Sequence, residues 1–308
     1  MSDPHAGAMD VVNELWASSV LAAALASALT DASADTPAQA LDRDADRAAL
    51  LRNLPDAEAT LESLWAERAA LGSALVSVLS QAAAAAAGAT RAWSDLSDEA
   101  MRAQGEASAR MADVIVSKIG PAYGLFRPGH VTRILDVGTG VGAIATALAA
   151  AVADAVVTGI DVADRPLAIA ETRRAAMTDV RERVRLRHQD VVDLDEVDAY
   201  DVVWMPVPFI PDAIIDQALT RVLRALRPGG LLVLGTIPAA GRRRLRAANA
   251  WLAAVAGGST LTTDDVVDRV NRRGLAGMQL FESVRGGPVI LAAISPREGA
   301  PSGPSGNG

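Results

Sequence analysis

The chain has 308 residues, of which 29 are basic and 37 are acidic, so its formal net charge is −8 at pH 7. An acidic surface repels a phosphate backbone, and we therefore expect no nucleic-acid partner. The sequence contains no cysteine, which excludes disulfides, thiolate nucleophiles and cysteine-ligated metals.

The first 120 residues are predicted to be entirely helical. Apolar residues recur at spacings of three and four, as at Leu61, Leu64 and Trp65. Thr36, followed by proline and by Gln39, is typical of a helix start. The pairs Ala87-Gly88 and Gly120-Pro121 are expected to end helices. We predict that residues 1–120 form a helical domain that covers the substrate site or mediates dimerisation.

The same region bears on localisation. No basic residue precedes the apolar run at residues 20–29, which argues against a signal peptide. We expect any apolar stretch that approaches the roughly 20 residues of a membrane helix to be an amphipathic or buried segment. These features predict a cytoplasmic protein without a membrane partner.

After residue 120 the pattern changes to short apolar runs that alternate with helical stretches, which indicates βαβ units. We predict an α/β fold over residues 121–296, with a doubly wound, seven-stranded, mostly parallel sheet. A short turn at residues 285–288 is expected to join the last two strands into an antiparallel hairpin. Residues 297–308 are rich in Pro, Gly and Ser and predict a disordered tail. The predicted strands are 131–137, 155–160, 184–188, 201–205, 231–236, 277–284 and 289–294.

A glycine-rich segment follows the first predicted strand. Residues 136–142 read Asp-Val-Gly-Thr-Gly-Val-Gly, and glycines between a strand and a helix let the backbone approach a ligand closely. Amides at the helix start can bind a carboxylate, and Asp136 suits a cationic group. Gly138, Gly140 and Ala143 also fit the dinucleotide fingerprint, so a nicotinamide or flavin oxidoreductase stays an alternative.

Two acids end the next two predicted strands. Asp161 lies at the spacing where a carboxylate can accept both hydroxyls of a ribose, although an Asp at a strand-to-helix junction can also cap the helix. Asp190 could accept from an adenine amino group, with Val191 offering backbone and apolar contact. Either nucleoside cofactor is compatible with these acids.

With these residues in place, the chain resembles the class I S-adenosylmethionine-dependent methyltransferases from about residue 131 to residue 294. The resemblance implies S-adenosylmethionine as cofactor, Asp161 as ribose acid, Asp190 as adenine-side acid and a turn at residues 226–230 before the fifth strand. The predicted hairpin is similar to the family's last two strands, which dinucleotide domains lack. The predicted cofactor-binding residues are Asp136, Gly138, Thr139, Gly140, Gly142, Asp161, Val162, Asp190, Val191, Met205 and Pro206.

The acceptor side departs from the family's patterns. Residues 204–211 read Trp-Met-Pro-Val-Pro-Phe-Ile-Pro, without a histidine base, an Asn-or-Asp-Pro-Pro-aromatic motif or an Asp-Asn pair for Mg²⁺. We therefore predict no metal and assign no catalytic residue. A carboxylate acceptor needs no base, whereas a hydroxyl usually does. We expect methyl transfer to the oxygen of a small molecule or a short peptide.

Three residues are candidates for substrate contact. Gln104 and Ser108 lie on a helix predicted over residues 97–119, where they can equally form a polar helix face. Phe209 could form an aromatic wall near the sulfonium with Trp204, although Trp204 is better explained as a core residue.

The sequence alone is compatible with three functions. The favoured one is a tailoring methyltransferase, with a homodimer through the helical domain as one option. The second is a protein of the same fold with a binding role or a non-methyl reaction. A nicotinamide-dependent oxidoreductase is the least favoured.

Overall fold

The computed structural model describes residues 4–88, 92–238, 243–283 and 288–296. The predicted hairpin turn falls largely at residues 284–287 and the predicted tail is residues 297–308, so both lie outside the described residues. The helices are α1 (Pro4–Leu29), α2 (Pro37–Asp42), α3 (Ala45–Leu51), α4 (Ala57–Trp65), α5 (Arg68–Ala86), α6 (Asp98–Val114), α7 (Gly120–Tyr123), α8 (Ala143–Ala151), α9 (Asp164–Ala176), α10 (Ile215–Ala225), α11 (Arg243–Val255) and α12 (Thr263–Arg272). The strands are β1 (Thr132–Val137), β2 (Ala155–Asp161), β3 (Val184–His188), β4 (Tyr200–Pro206), β5 (Leu226–Thr236), β6 (Ala276–Glu282) and β7 (Val289–Ile294).

Helices α1 to α5 form the helical N-terminal region that the apolar spacing predicts. The Thr36 hydroxyl accepts from the Gln39 N–H at 3.2 Å, and the Gln39 side chain accepts from the Thr36 N–H in return, so α2 begins with a complete capping box. Leu29, Leu51 and Leu61 are fully buried in a core that these helices share. This part of the chain therefore has its own apolar centre.

Two of these helices are longer and more apolar than the sequence pattern suggested. Residues Ala8–Leu29 and α5 are each long and apolar enough to cross a membrane by length and composition. By this measure both stretches reach the length of a membrane helix, and their interpretation as amphipathic or buried segments stays a prediction. Core helices and signal sequences pass the same test.

Helix α6 extends further than predicted. It begins after Ser97, whose hydroxyl accepts from the Ala100 N–H. It then continues through a π-helical turn at Ile115–Ile119 into α7. The predicted end at Gly120-Pro121 is wrong, because the Gly120 N–H donates to Ile115 O in the π-helical pattern. Pro121 has no N–H to donate, but its position directly after the π-helical turn lets the helix continue. The helix ends instead at Gly124, whose φ is +65°.

The seven strands form one sheet in the order β3-β2-β1-β4-β5-β7-β6. The pairs from β3 to β5 are parallel, whereas β7 lies antiparallel between β5 and β6. This order confirms the predicted fold class. Chain order reverses between β1 and β4, and ligands of open α/β sheets bind at such a switch point, beside the carboxyl ends of the strands.

One strand boundary differs from the prediction. Residues 226–230 were expected to form a turn, but β5 begins at Leu226, which pairs with Tyr200. The next paired residues are Leu231 and Val202, so the register shifts between the two pairs. The Pro-Gly-Gly segment is thus a bulge inside the strand, because the residues on both sides of it stay paired.

Candidate cofactor site

The loop between β1 and α8 has the backbone shape that its glycines predict. Gly138, Gly140 and Gly142 have φ angles of +66°, +54° and +70°, a region that residues with a side chain rarely adopt. The Thr139 N–H donates to Ile160 O at 2.9 Å, which ties the loop to β2. The loop therefore presents its backbone at the carboxyl end of β1.

A fourth glycine supports this loop from β2. A Cβ on Gly159 would lie 2.6 Å from the Thr139 hydroxyl oxygen. A larger residue there would force the loop away from the sheet. The sequence reasoning did not assign Gly159, since a glycine inside a strand carries no signal without its neighbour in space.

Asp136 lies under the loop and is buried. Its Oδ2 accepts from the Thr139 hydroxyl at 2.7 Å, whereas its Oδ1 has no partner within the described part of the chain. Burial, together with the negative charge of Asp161, raises the pKa of Asp136 to about 7. A buried carboxylate oxygen without a partner is costly, and a cationic ligand group would satisfy it.

Asp161 ends β2 and faces the loop. Its Oδ2 accepts from the Gly140 N–H at 2.8 Å and its Oδ1 accepts from the Ala163 N–H at 3.0 Å. Burial raises the pKa of this carboxyl against the opposing effect of these hydrogen bonds. The alternative role as helix cap is not used, because Ala163 occupies the cap position of α9. An ionised carboxylate has about four acceptor sites, so acceptor capacity remains for a ligand hydroxyl.

An open cleft continues from Asp161 along the sheet edge. It has a volume of about 490 Å³, which is within the range of about 300–1,000 Å³ that small-molecule sites occupy. Val162 is exposed there and Asp190 forms part of the wall. The Asp190 Oδ1 accepts from the Val192 N–H at 3.0 Å. Val191 is buried in the core and can offer only its backbone to a ligand.

The end of β4 lies beside the glycine loop, on the other side of the switch point. The Met205 side chain is fully buried in the core, and Pro206 is partly exposed at the strand end. Trp204 is also buried, and its ring would lie 2.9 Å from a Cβ on Gly235. Trp204 is thus a core residue and not part of an aromatic wall.

Gln104 and Ser108 lie in the contact between α5 and α6. The Gln104 Oε1 accepts from the Ser77 hydroxyl at 2.6 Å and from the Gln81 side chain at 3.1 Å. Its Nε2 donates to the Ser108 hydroxyl at 3.0 Å. These bonds give both residues a structural role between two helices, and their contact with a substrate stays a prediction.

An adjacent face of α6 contacts the glycine loop through Gly105. A Cβ on Gly105 would lie 2.2 Å from Val141 Cγ2, so the absence of a side chain lets α6 pack directly on the loop. Arg165 pairs with Asp98 at 2.7 Å, and Arg173 pairs with Glu106. Two ion pairs thereby join α6 to α9 across the loop.

Phe209 lies just after β4 and is partly exposed. Its ring meets that of Trp93 edge to face, with the centroids 6.4 Å apart and an angle of 82° between the planes. His130 precedes β1 and so lies at the opposite end of that strand from the loop. The described residues contain no group of three or more His, Asp or Glu side chains arranged for a metal ion.

Comparison with known proteins agrees with this arrangement. Residues 134–230 match a family described as a methyltransferase domain. The structure is similar to that of an O-methyltransferase family protein from Burkholderia thailandensis, with a TM-score of 0.63, 14% identity and coverage of 97% of this chain and 100% of that chain. It is also similar to PigF, solved with S-adenosylhomocysteine, with a TM-score of 0.57, 18% identity and coverage of 95% and 99%. No curated protein sequence matched.

The switch-point loop, the acid ending β2 and the antiparallel β7 lie in one α/β domain. Residues 134–230 of this domain are similar to a methyltransferase domain, and the fold is shared with an O-methyltransferase family protein. This likeness makes S-adenosylmethionine the candidate cofactor. The residues present fit that compound, since the orphaned oxygen of Asp136 suits its amino group and the Asp161 carboxylate suits its ribose.

Proposed function

We propose that this protein is a cytoplasmic tailoring enzyme that methylates an oxygen, either carboxylate or hydroxyl, of a small molecule or short peptide. The observation that carries the proposal is the buried Asp136 carboxylate, with one unpaired oxygen, directly under the glycine loop and beside Asp161. Oxygen is favoured because the segment after β4 lacks the motif for amide and exocyclic-amine acceptors. The net charge of −8 supports a small acceptor over a nucleic acid.

The chain's own residues bind and orient in this proposal. When bound, S-adenosylmethionine supplies an electrophilic methyl group on its sulfonium. Asp136 would neutralise the amino group, Asp161 would accept from the ribose, and Asp190 would contact the adenine. Positioning alone can supply about 7–11 kcal/mol of a bimolecular barrier, so a carboxylate acceptor requires no further base.

The proposal is tested with S-adenosylmethionine labelled at the methyl group. Purified protein is incubated with matched panels of carboxylic acids, phenols and amines, and both the labelled product and S-adenosylhomocysteine are measured. We expect label in the acids or phenols, with equal amounts of S-adenosylhomocysteine. Binding of the cofactor without product in every panel would favour the binding or non-methyl role. Affinity for NADH in place of S-adenosylhomocysteine would favour the oxidoreductase.

Replacing Asp161 with asparagine should weaken S-adenosylhomocysteine binding by about 10- to 150-fold, the range expected for a lost charged hydrogen bond. Isothermal titration calorimetry measures the dissociation constant directly. Asp164→Asn is the matched control, because Asp164 is exposed three residues away and should leave the affinity within about twofold. Equal affinities in all three proteins would contradict the ribose assignment.

The helical region is proposed to join two copies of the chain. Residues 8–20 of α1 are exposed throughout, including Val12, Leu15 and Trp16, which are 54%, 62% and 70% exposed. Apolar side chains exposed in this number mark an interaction surface. Asp10 and Glu14 on the same helix disfavour an anionic lipid surface, so we assign the surface to a second copy.

This dimer gives a direct prediction. Sedimentation should find the wild-type protein as a dimer, and Trp16→Glu should weaken the association at least about 30-fold, as for a central interface residue. Cofactor affinity should be unchanged, because α1 packs against α2, α3 and α5, whereas α6 packs on the glycine loop. A wild-type protein that is monomeric, or that binds vesicles of neutral lipid through α1, would refute the assignment.

A further inference from the structure

Trp93 lies where three parts of the site meet. It begins the 3-10 turn Trp93–Asp95, just before α6. A Cβ placed on Gly140 would be 3.1 Å from Cη2 and 3.3 Å from Cζ3 of the indole. The outer edge of the ring therefore covers the glycine loop at the position where the backbone must approach the cofactor.

The same indole reaches the acceptor side through its contact with Phe209. Because β1 and β4 are neighbours in the sheet, the loop after β1 and the segment after β4 face each other across the switch point. The aromatic pair spans this gap. The two rings therefore lie between the loop that would hold the cofactor and the segment after β4.

Trp93 also closes a small pocket beyond the pair. Residues from α5 and α11, among them Gln81 and Leu252, line this space together with Trp93 and Leu96. Its volume is about 10 Å³, roughly the space of one water molecule. An acceptor cannot enter unless the indole or α11 shifts.

Within the described residues, packing and not a hydrogen bond holds the indole of Trp93. Its N–H is buried and has no acceptor within the described ranges. A buried donor left unpaired costs free energy, so packing alone holds the ring over the loop. A side chain held in this way can move when a ligand offers a better contact.

We propose that Trp93 is the positioning residue that covers the sulfonium of the bound cofactor and makes the site distinguish the charged S-adenosylmethionine from the neutral S-adenosylhomocysteine. The inference rests on the proposed function. An aromatic ring attracts a cation through its quadrupole, which corresponds to about a 2- to 30-fold preference for the charged compound. Such a preference retains the substrate and releases the demethylated product.

The test compares the ratio of the two dissociation constants, measured by calorimetry, in the wild type and in Trp93→Leu. Leucine keeps an apolar side chain and removes the ring, so S-adenosylmethionine should bind about 2- to 30-fold more weakly relative to S-adenosylhomocysteine. Trp93→Phe should keep most of the preference. Trp251→Leu is the control, because Trp251 is exposed on α11 and should leave the ratio unchanged.

An equal loss of affinity for both compounds in Trp93→Leu would mean a packing role only and would overturn the proposal, as would an unchanged ratio. A wild type that binds neither compound would overturn the cofactor site as well. If Trp93→Leu does not fold, the same ratio is measured in Trp93→Met, which keeps an apolar side chain and removes the ring. S-adenosylmethionine should again bind about 2- to 30-fold more weakly relative to S-adenosylhomocysteine, and an unchanged ratio would refute the proposal.

Discussion

Replacing Asp136 with asparagine should stabilise the protein at neutral and alkaline pH while weakening its binding of the cofactor. The folded wild type has a raised pKa of about 7 at this buried carboxyl. The protonated carboxyl of Asp136 therefore contributes to the free energy of unfolding below about pH 4, and this contribution is lost as the pH rises through about 7. Asparagine cannot ionise, so it avoids this loss.

Urea unfolding between about pH 4.5 and about pH 8 measures the effect. The variant should gain about 1–3 kcal/mol over the wild type at pH 8, after the cost of an unpaired amide, and the gain should shrink towards pH 4.5. Calorimetry at pH 8 should find S-adenosylhomocysteine bound about 10- to 150-fold more weakly, because the carboxylate no longer pairs with the amino group. A variant that is less stable at every pH and binds with wild-type affinity would contradict both assignments.

The second large effect is expected at Gly105, which no sequence motif marks. An added methyl group would lie 2.2 Å from Val141 Cγ2 and 3.3 Å from Ala143 Cβ. Val141 is buried between two glycines of the loop, so it can yield only by moving the loop. Overpacking of this kind costs about 1–3 kcal/mol, and we expect Gly105→Ala to lower the affinity for S-adenosylhomocysteine about 5- to 150-fold.

Two controls isolate the cause of this loss. Gly72→Ala places a methyl group 2.6 Å from Thr30 Cγ2, a similar crowding between α5 and the end of α1, and should change stability without changing affinity. The double variant Gly105→Ala with Val141→Ala removes the clashing atom and should recover most of the binding. A double variant as weak as the single one would refute the steric explanation.

The sheet could be predicted from the sequence because each of its signals is local. The glycines of residues 138–142, the acids that end β2 and β3, and the alternation of apolar runs all lie within short segments. The antiparallel position of β7 followed from resemblance to a known family. These features needed no knowledge of which distant residues meet.

What the sequence did not reveal depends on contacts between distant segments. Trp93 and Gly105 precede the loop by more than 30 residues, and each becomes meaningful only against Gly140 or Val141. The continuation of α6 beyond Gly120 depends on a π-helical turn that packs against the sheet. Gln104 and Ser108 have the polar pattern of a substrate-facing surface, yet the pairing of α5 with α6 decides where they point.

The ion pairs of Arg165 with Asp98 and of Arg173 with Glu106 have a mechanical consequence. They hold α6 against α9 on both sides of Gly105, the position at which α6 packs on the glycine loop. Because these side chains are partly exposed, each pair contributes about 0–1 kcal/mol. The close contact of Gly105 with Val141 therefore fixes α6 more than the ion pairs do, and a change that separates α6 from α9 would also displace the loop.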